Sequence, residues 1–195
     1  MSLYVYLSNV NREIDLDKIY SETRKQEINN TSNIDVKSSK YSGWLLLQKA
    51  VKEVLNLDPS KINFTKDINN KWICKEFYFS LSHTNKFVAV AVSDQRVGID
   101  IEEIKTVYVN ISQRILTSEE LEEFTLLSQE KRNDYLLEKW TQKEALFKYG
   151  HNSIFEAKKL DTITNQNLLS TQILNNNLVL SICSKNSKKP KIIFN

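Results

Sequence analysis

The sequence predicts a protein of the α+β or mixed α/β class. Two stretches carry apolar residues at helical spacing, and several short runs are alternately or continuously apolar, as strands are. The 195 residues include only three Gly and two Pro, so most of the chain is expected in regular elements. This length suits one domain, or two small subdomains that share a core.

The first half is expected to contain three strands and one long helix. Apolar alternation over Leu3–Leu7 predicts an N-terminal strand, and only weak helical patterning follows near Leu16–Tyr20. Apolar residues then recur at helical spacing from Lys40 to Leu57. Phe77–Leu81 is the next predicted strand, and Phe87–Val92 is continuously apolar, which is typical of a strand buried on both faces.

The second half is expected to contain two helices among three strands. Thr117 and Glu120 have the spacing of a capping box, which predicts a helix through about Leu127. A second helix is predicted from Lys131 to Tyr149, with Gly150 as its left-handed C-cap. The predicted strands are Val97–Glu102, Leu178–Ile182 and Lys191–Phe194.

Each half therefore combines a long helix with a few strands. The division falls near Ser93–Val97, which predicts subdomains over residues 1–96 and 97–195.

Composition excludes several classes of protein. The 27 Lys and Arg barely outnumber the 24 Asp and Glu, which argues against a nucleic-acid-binding surface. Two cysteines without a CxxC pair argue against a disulfide-stapled secreted scaffold. The N-terminus lacks a signal-peptide pattern and no apolar run reaches the ~20 residues of a membrane helix, so a soluble cytoplasmic protein without membrane or nucleic-acid partners is expected.

The segment VGIDIE concentrates two carboxylates on one face of a strand. Side chains alternate along a strand, so Gly98, Asp100 and Glu102 share the face opposite the apolar residues. Two carboxylates beside a residue without a side chain leave room for a hard cation. For an isolated DxE, however, a half-exposed strand with solvated acids is the better interpretation.

The segment WTQKEALFK places three functional side chains on one helical stripe. Trp140, Glu144 and Lys148 recur every four residues, whereas Lys143 is rotated roughly 100° off that stripe. A surface Glu–Lys pair is the simpler interpretation, but Trp140 on the same stripe favours a face turned toward protein. Glu144 and Lys148 would then be well placed to act on a phosphate.

The segment FSLSHT places a histidine beside a hydroxyl at the end of a strand. Ser82 and His83 precede the apolar run that begins at Phe87. A lone histidine is more often structural than catalytic, and His151 is interpreted as structural.

Together, FSLSHTNKFVAVAVSDQRVGIDIE and WTQKEALFK closely resemble the 4′-phosphopantetheinyl transferases of the surfactin (Sfp) type. The signatures of that family are an SH element, a (V/I)G(I/V)D(I/L)E strand and a W-x-x-KE-x-x-x-K helix, and all three occur here in order. The resemblance covers about Ser38 to Lys148.

The resemblance implies a holo-[acyl-carrier-protein] synthase type of enzyme. It would transfer phosphopantetheine from coenzyme A (CoA) to a serine of an apo carrier protein and release 3′,5′-ADP. Asp100, Glu102 and Glu144 would hold Mg²⁺, or Mn²⁺, against the CoA pyrophosphate. Glu144 would also be the base for the serine proton, while Lys148 and His83 would neutralise phosphate charge.

Further CoA contacts are implied in the first half. Asn70-Lys71-Trp72 replaces the Gly-Lys-Pro turn of the family, so Lys71 is kept while the glycine and proline are lost. Ser82 would hydrogen-bond a phosphate or the pantetheine. The upstream contact to the 3′-phosphate is left open among four basic residues, of which Lys40, opening the long helix, fits best: Arg24, Lys25, Lys37 and Lys40.

The resemblance also implies the architecture and the partner. The family fold has two similar α+β subdomains related by a pseudo-twofold, with CoA in the cleft between them, and a monomer is expected. The acidic carrier would approach the segment between the DxE strand and the KE helix. Its candidate docking residues, for which a role in the core is equally open, are Val109, Ile111, Arg114, Ile115 and Leu116.

Two other functions compete with this interpretation. The first is a catalytically degenerate module that only binds CoA or a carrier, although the complete set of Asp100, Glu102, Glu144 and Lys148 argues against lost catalysis. The second is a metal-dependent nuclease, for which a strand DxE and a downstream ExxxK are superficially suitable. The SH element and the absence of a strong basic surface argue against it.

Overall fold

A computed structural model describes residues 3–105, 111–150, 153–174, 177–185 and 190–195. The helices in these ranges are α1 Glu22–Asn29, α2 Ile34–Ala50, α3 Ser112–Ile115, α4 Ser118–Leu126 and α5 Gln129–Gly150. The strands are β1 Tyr4–Asn9, β2 Thr65–Lys66, β3 Trp72–Ile73, β4 Tyr78–His83, β5 Phe87–Ser93, β6 Val97–Glu103, β7 Leu169–Leu174, β8 Leu178–Ser184 and β9 Lys191–Phe194. The predicted mixture of helices and sheets is confirmed. Among the described residues, no helix is both long and apolar enough to span a membrane.

The chain divides into two compact units. The first contains the chain up to Arg96 together with β9. Its sheet has the order β4-β5-β1-β9, in which β1 and β9 are parallel and the other pairs antiparallel. Helix α2 packs on this sheet and buries Tyr41, Trp44 and Leu47 completely.

Two helices of the first unit differ from the prediction. Helix α2 begins at Ile34, six residues before the predicted start, because the Asn33 side chain accepts hydrogen bonds from the backbone N–H groups of Asp35 and Val36. It continues as one π-helical turn over Val51–Leu55. Helix α1 was not predicted, because it buries only Arg24 and Ile28 and lacks a continuous apolar stripe.

The second unit runs from Val97 to Lys185. Its antiparallel sheet has the order β6-β8-β7, and α5 packs against β6 and β8. Buried hydroxyls join the layers, since the Ser181 side chain of β8 donates to Oγ1 of Thr141 on α5 over 3.1 Å. This packing fixes α5 relative to β6.

The elements of the second unit are largely as predicted. The capping box is confirmed, because Thr117 and Glu120 each accept a hydrogen bond from the other's backbone N–H. Gly150 is the last residue of α5 and has no positive φ, so the predicted left-handed cap is wrong. Strand β7 was not predicted. The prediction that grouped residues 97–195 is wrong for β9, because β9 pairs with β1 in the first unit.

Candidate active site

Gly98 lies in β6 where the backbone of α5 closely approaches the strand. A methyl group on its Cα would lie 2.0 Å from the carbonyl oxygen of Ala145 and 2.6 Å from the backbone nitrogen of Tyr149. Glycine within a strand often marks such a close approach of another backbone. The interpretation that Gly98 leaves room for a cation is therefore wrong, because α5 fills that space.

The acidic face of β6 is covered by helix α5, which carries Glu144 between Trp140 and Lys148. The Asp100 side chain is only 7% exposed, and its Oδ1 accepts a hydrogen bond of 2.7 Å from Nζ of Lys148. The half-buried Glu102 accepts a hydrogen bond of 3.1 Å at Oε1 from Nε1 of Trp140. Strand and helix thus bring the predicted carboxylates and lysine of this unit to one place.

The electrostatics of this site show an excess of negative charge. Burial raises the pKa of the Glu144 carboxyl; Lys148 opposes the shift, and the charges of Asp100 and Glu102 add to it. Burial and the charge of Asp100 likewise raise the pKa of Glu102, against the opposing effect of Lys105. A further cation would therefore be stabilised beside these side chains.

The donor set is chemically suited to Mg²⁺, which prefers carboxylate oxygens and commonly binds one or two of them together with substrate phosphates. In the described part of the chain, no three His, Cys, Asp or Glu side chains are assembled as a metal centre. Lysine side chains instead partly neutralise the carboxylates of Asp100 and Glu102. Lys148 contacts Asp100, and Nζ of Lys105 lies 3.7 Å from Oε2 of Glu102. The magnesium site stays a prediction, and the carboxylates of Asp100, Glu102 and Glu144 are suitable ligands for it.

Lys40, the predicted phosphate contact, belongs to a cluster of cations around Glu27 in the first unit. Nζ of Lys40 lies 3.2 Å and Nζ of Lys66 3.7 Å from Oε1 of Glu27, and a guanidinium nitrogen of Arg24 lies 2.8 Å from Oε2. We call Arg24, Glu27, Lys40 and Lys66 the Glu27 cluster. Three cations around one carboxylate leave a net positive site, which suits a phosphate.

The other upstream candidates differ in accessibility. The Arg24 side chain is 6% exposed, and its guanidinium lies 4.9 Å from the ring centroid of Trp44. Arg24 is therefore too buried to contact a phosphate directly and instead holds Glu27 in place. Lys25 pairs with Glu22 on α1, and Lys37 donates to the backbone of the same helix. Lys40 lies within α2 and does not open it, because the helix begins six residues earlier.

Lys71 follows a tight turn between β2 and β3. Asn70 has a φ of 63° there, and the Asp67 side chain accepts hydrogen bonds from the backbone N–H groups of Asn69 and Lys71. Asparagine tolerates this left-handed conformation, which glycine adopts without cost. Asn70 can therefore replace the glycine of the family's turn.

Ser82 and His83 are the last two residues of β4 and point to opposite faces of the sheet. Ser82 pairs with Ala89 and is buried, whereas His83 pairs with Val88 and is exposed. These positions do not test the predicted phosphate contacts, which stay predictions.

The candidate carrier-docking residues fall into two groups. Ile115 and Leu116 are buried with Phe124 and are core residues, because α3 turns its apolar side inward. Arg114 is exposed, and Ile111 lines an apolar cavity of about 240 Å³ beside Glu102. Val109, like His151, lies outside the described residues.

Three features of these sites were not predicted: the part of Lys66 in the Glu27 cluster, the burial of Lys143, and the contacts of Phe155 with Trp140. Residue spacing indicates that Lys143 lies off the stripe of Trp140, Glu144 and Lys148, but it does not indicate that the side chain is buried.

Comparison with known proteins identifies one family model and several curated relatives. Residues 96–189 match the family model of the 4′-phosphopantetheinyl transferase superfamily. The chain is 33% identical over 109 residues to 4′-phosphopantetheinyl transferase psf-1 of Bacillus pumilus, which covers 54% of this chain and 47% of that protein. It is 31% identical over 107 residues to 4′-phosphopantetheinyl transferase gsp of Aneurinibacillus migulanus (54% and 45%). Identity to 4′-phosphopantetheinyl transferase Sfp of Bacillus subtilis (strain 168) is 27% over 109 residues (54% and 49%).

The chain thus spans about half the length of the curated relatives it matches, and the resemblance predicted from the motifs is confirmed.

Proposed function

We propose that this chain, whose residues 96–189 match the 4′-phosphopantetheinyl transferase superfamily, transfers 4′-phosphopantetheine from CoA to a serine of an apo carrier protein. The observation that carries the proposal is the placement of Asp100, Glu102, Glu144 and Lys148 on a strand and helix packed together within the matched residues. From the resemblance to these transferases we also propose a monomer with two subdomains related by a pseudo-twofold and CoA in the cleft between them.

In the proposed reaction, the carrier serine Oγ forms a bond to the phosphorus that bears the pantetheine. The bond between that phosphorus and the bridging pyrophosphate oxygen breaks, and 3′,5′-ADP leaves with that oxygen. Glu144 accepts the serine proton, directly or through a water, and its raised pKa suits a general base. Lys148 and His83 offset phosphate charge. Mg²⁺ held by Asp100, Glu102 and Glu144 would neutralise charge on the pyrophosphate.

The proposal assigns the nucleotide end of CoA to residues of the first unit. Lys40 and Lys71 would contact its phosphates as point charges, and Ser82 and His83 would add contacts at the end of β4. The net positive charge of the Glu27 cluster supports the assignment of Lys40.

The function is tested by intact-mass spectrometry of apo carrier proteins from fatty-acid, polyketide and peptide synthesis. With CoA and Mg²⁺, we expect the mass of at least one carrier to rise by one phosphopantetheine, and omission of Mg²⁺ to prevent the rise. No mass change with any of the carriers would contradict the proposal. Cleavage of DNA by the protein with Mg²⁺ would instead favour the nuclease alternative.

Replacement of Lys40 by Met is expected to weaken recognition of the 3′-phosphate. A lost charge-assisted hydrogen bond costs about 1.5–3 kcal/mol, so the KM for CoA should rise at least ~10-fold. The KM for dephospho-CoA, which lacks the 3′-phosphate, should change much less.

Lys61→Met is the matched control, because Lys61 is exposed and pairs only loosely with Asp58 at 3.8 Å. It should leave both KM values unchanged. Equal increases for CoA and dephospho-CoA in the Lys40 variant would mean that Lys40 does not read the 3′-phosphate.

A further inference from the structure

Lys143 and Glu120 form an ion pair inside the second unit. Both side chains are completely buried, and Nζ of Lys143 lies 2.6 Å from Oε2 of Glu120. Burial lowers the pKa of Lys143, and the hydrogen bond to Glu120 opposes the shift. Lys143 precedes Glu144 in the chain, yet its complete burial prevents it from contacting a phosphate.

The pair holds the segment that follows α5. Nζ of Lys143 also donates to the carbonyl oxygens of Ala157 at 3.1 Å and Leu160 at 2.6 Å. Oε1 of Glu120 accepts hydrogen bonds from the backbone N–H and the hydroxyl of Thr162, at 3.0 and 2.7 Å. Helices α4 and α5 are thereby tied to residues 157–162 through two charged groups with satisfied hydrogen bonds.

Phe155 begins the segment 155–162 and packs on the functional face of α5. Its ring centroid lies 5.4 Å from that of Trp140 and 5.3 Å from that of Phe147, both in edge-to-face geometry. These two residues flank Glu144 along the helix, four residues before it and three after it. Trp140 in turn donates its indole N–H to Glu102.

We infer that Lys143 and Phe155 are positioning residues for the reaction proposed above, on which this inference rests. The Lys143–Glu120 pair fixes the segment 155–162, the segment holds Phe155 against Trp140, and Trp140 orients the Glu102 carboxylate. The Lys143–Leu160, Phe155–Trp140 and Trp140–Glu102 links are direct contacts, and the backbone itself joins Phe155 to the bonded residues 157–162. The coupling between the two ends of this chain of contacts is measurable.

The coupling is tested first by the indole ¹⁵N–¹H signals of the three tryptophans, with the Trp140 signal assigned from Trp140→Phe. In Phe155→Ala, and in the double variant Lys143→Met with Glu120→Gln, we expect the Trp140 signal to shift while those of Trp44 and Trp72 stay in place. The double variant removes both charges, because removal of one would leave the other buried and unpaired. Phe155→Ala shows that the Trp140 signal reports the ring contact, and an unmoved Trp140 signal in the double variant would overturn the coupling.

The consequence for catalysis is tested by steady-state kinetics with CoA and a carrier. A displacement of about 1 Å in catalytic groups can cost ~100-fold in rate, so both variants should lose about 10- to 100-fold in kcat while the KM for CoA changes less than about twofold. Phe155→Tyr keeps the ring and should restore kcat. Ile154→Ala is the control, because Ile154 is 72% exposed.

Each kinetic outcome decides the inference. A shifted Trp140 signal with wild-type kcat would overturn the positioning role, and so would a raised KM for CoA with wild-type kcat, because positioning of Glu102 acts on the rate. A wild-type protein inactive toward every carrier would overturn the proposed function itself, whereas the indole signals would still decide the coupling.

Discussion

Replacement of Glu144 by Gln is expected to lower the rate of phosphopantetheine transfer about 10³-fold and to leave the fold intact. A general base contributes ~10²–10⁴-fold, and Gln cannot accept the serine proton. Gln keeps the shape of the side chain. It also removes a negative charge that burial disfavours, as the raised pKa of the Glu144 carboxyl shows. We therefore expect the variant to keep the wild-type Tm, measured by circular dichroism. Its kcat, measured from the intact mass of the carrier, should fall.

Glu130→Gln is the matched control for this variant. Glu130 lies exposed in the first turn of α5, so the same chemical change is made on the same helix away from the site. It should keep wild-type kcat and Tm. Wild-type kcat in Glu144→Gln would remove Glu144 from the proposed mechanism, and a large fall in Tm would assign it a structural role.

The elements predicted correctly from the sequence have strong local signals. The continuous apolar run of β5 and the capping box of α4 each specify their element within a few residues. Helix α1 has no such signal, since the buried residue one turn before Ile28 is Arg24. The pairing of β9 with β1 is a long-range contact, so the alternation in Lys191–Phe194 predicts a strand but not its partner.

In the candidate site, too, local spacing predicts some features, whereas others depend on long-range contacts. Asp100 and Glu102 share a strand face, and Glu144 and Lys148 a helix face, because residue spacing fixes both. Spacing does not show which charges will be buried, and a lysine is expected at the surface. The complete burial of Lys143 depends on Glu120 and on carbonyl groups 14 and 17 residues further along the chain.

Replacement of Gly98 by Ala is expected to destabilise the second unit strongly. The added methyl would meet the Ala145 carbonyl at 2.0 Å and the Tyr149 nitrogen at 2.6 Å, and helix backbone cannot rotate away as a side chain can. Overpacking that moves backbone costs about 3 kcal/mol or more, which lowers Tm by ~6–12 °C for a chain of this size. Transfer should also be lost, because a displaced α5 separates Glu144 and Lys148 from Asp100 and Glu102.

Gly43→Ala separates this steric effect from a general intolerance of alanine. A methyl at Gly43 would lie 4.0 Å from a methyl carbon of Leu81, an ordinary contact, and the position is inside α2. Alanine is favoured over glycine in a helix by about 1 kcal/mol, so Tm should be unchanged or higher. If Gly98→Ala instead kept the wild-type Tm in thermal unfolding followed by circular dichroism, the close approach of α5 to β6 would be wrong. The acidic face of β6 would then be open beside Gly98, as the sequence alone suggested.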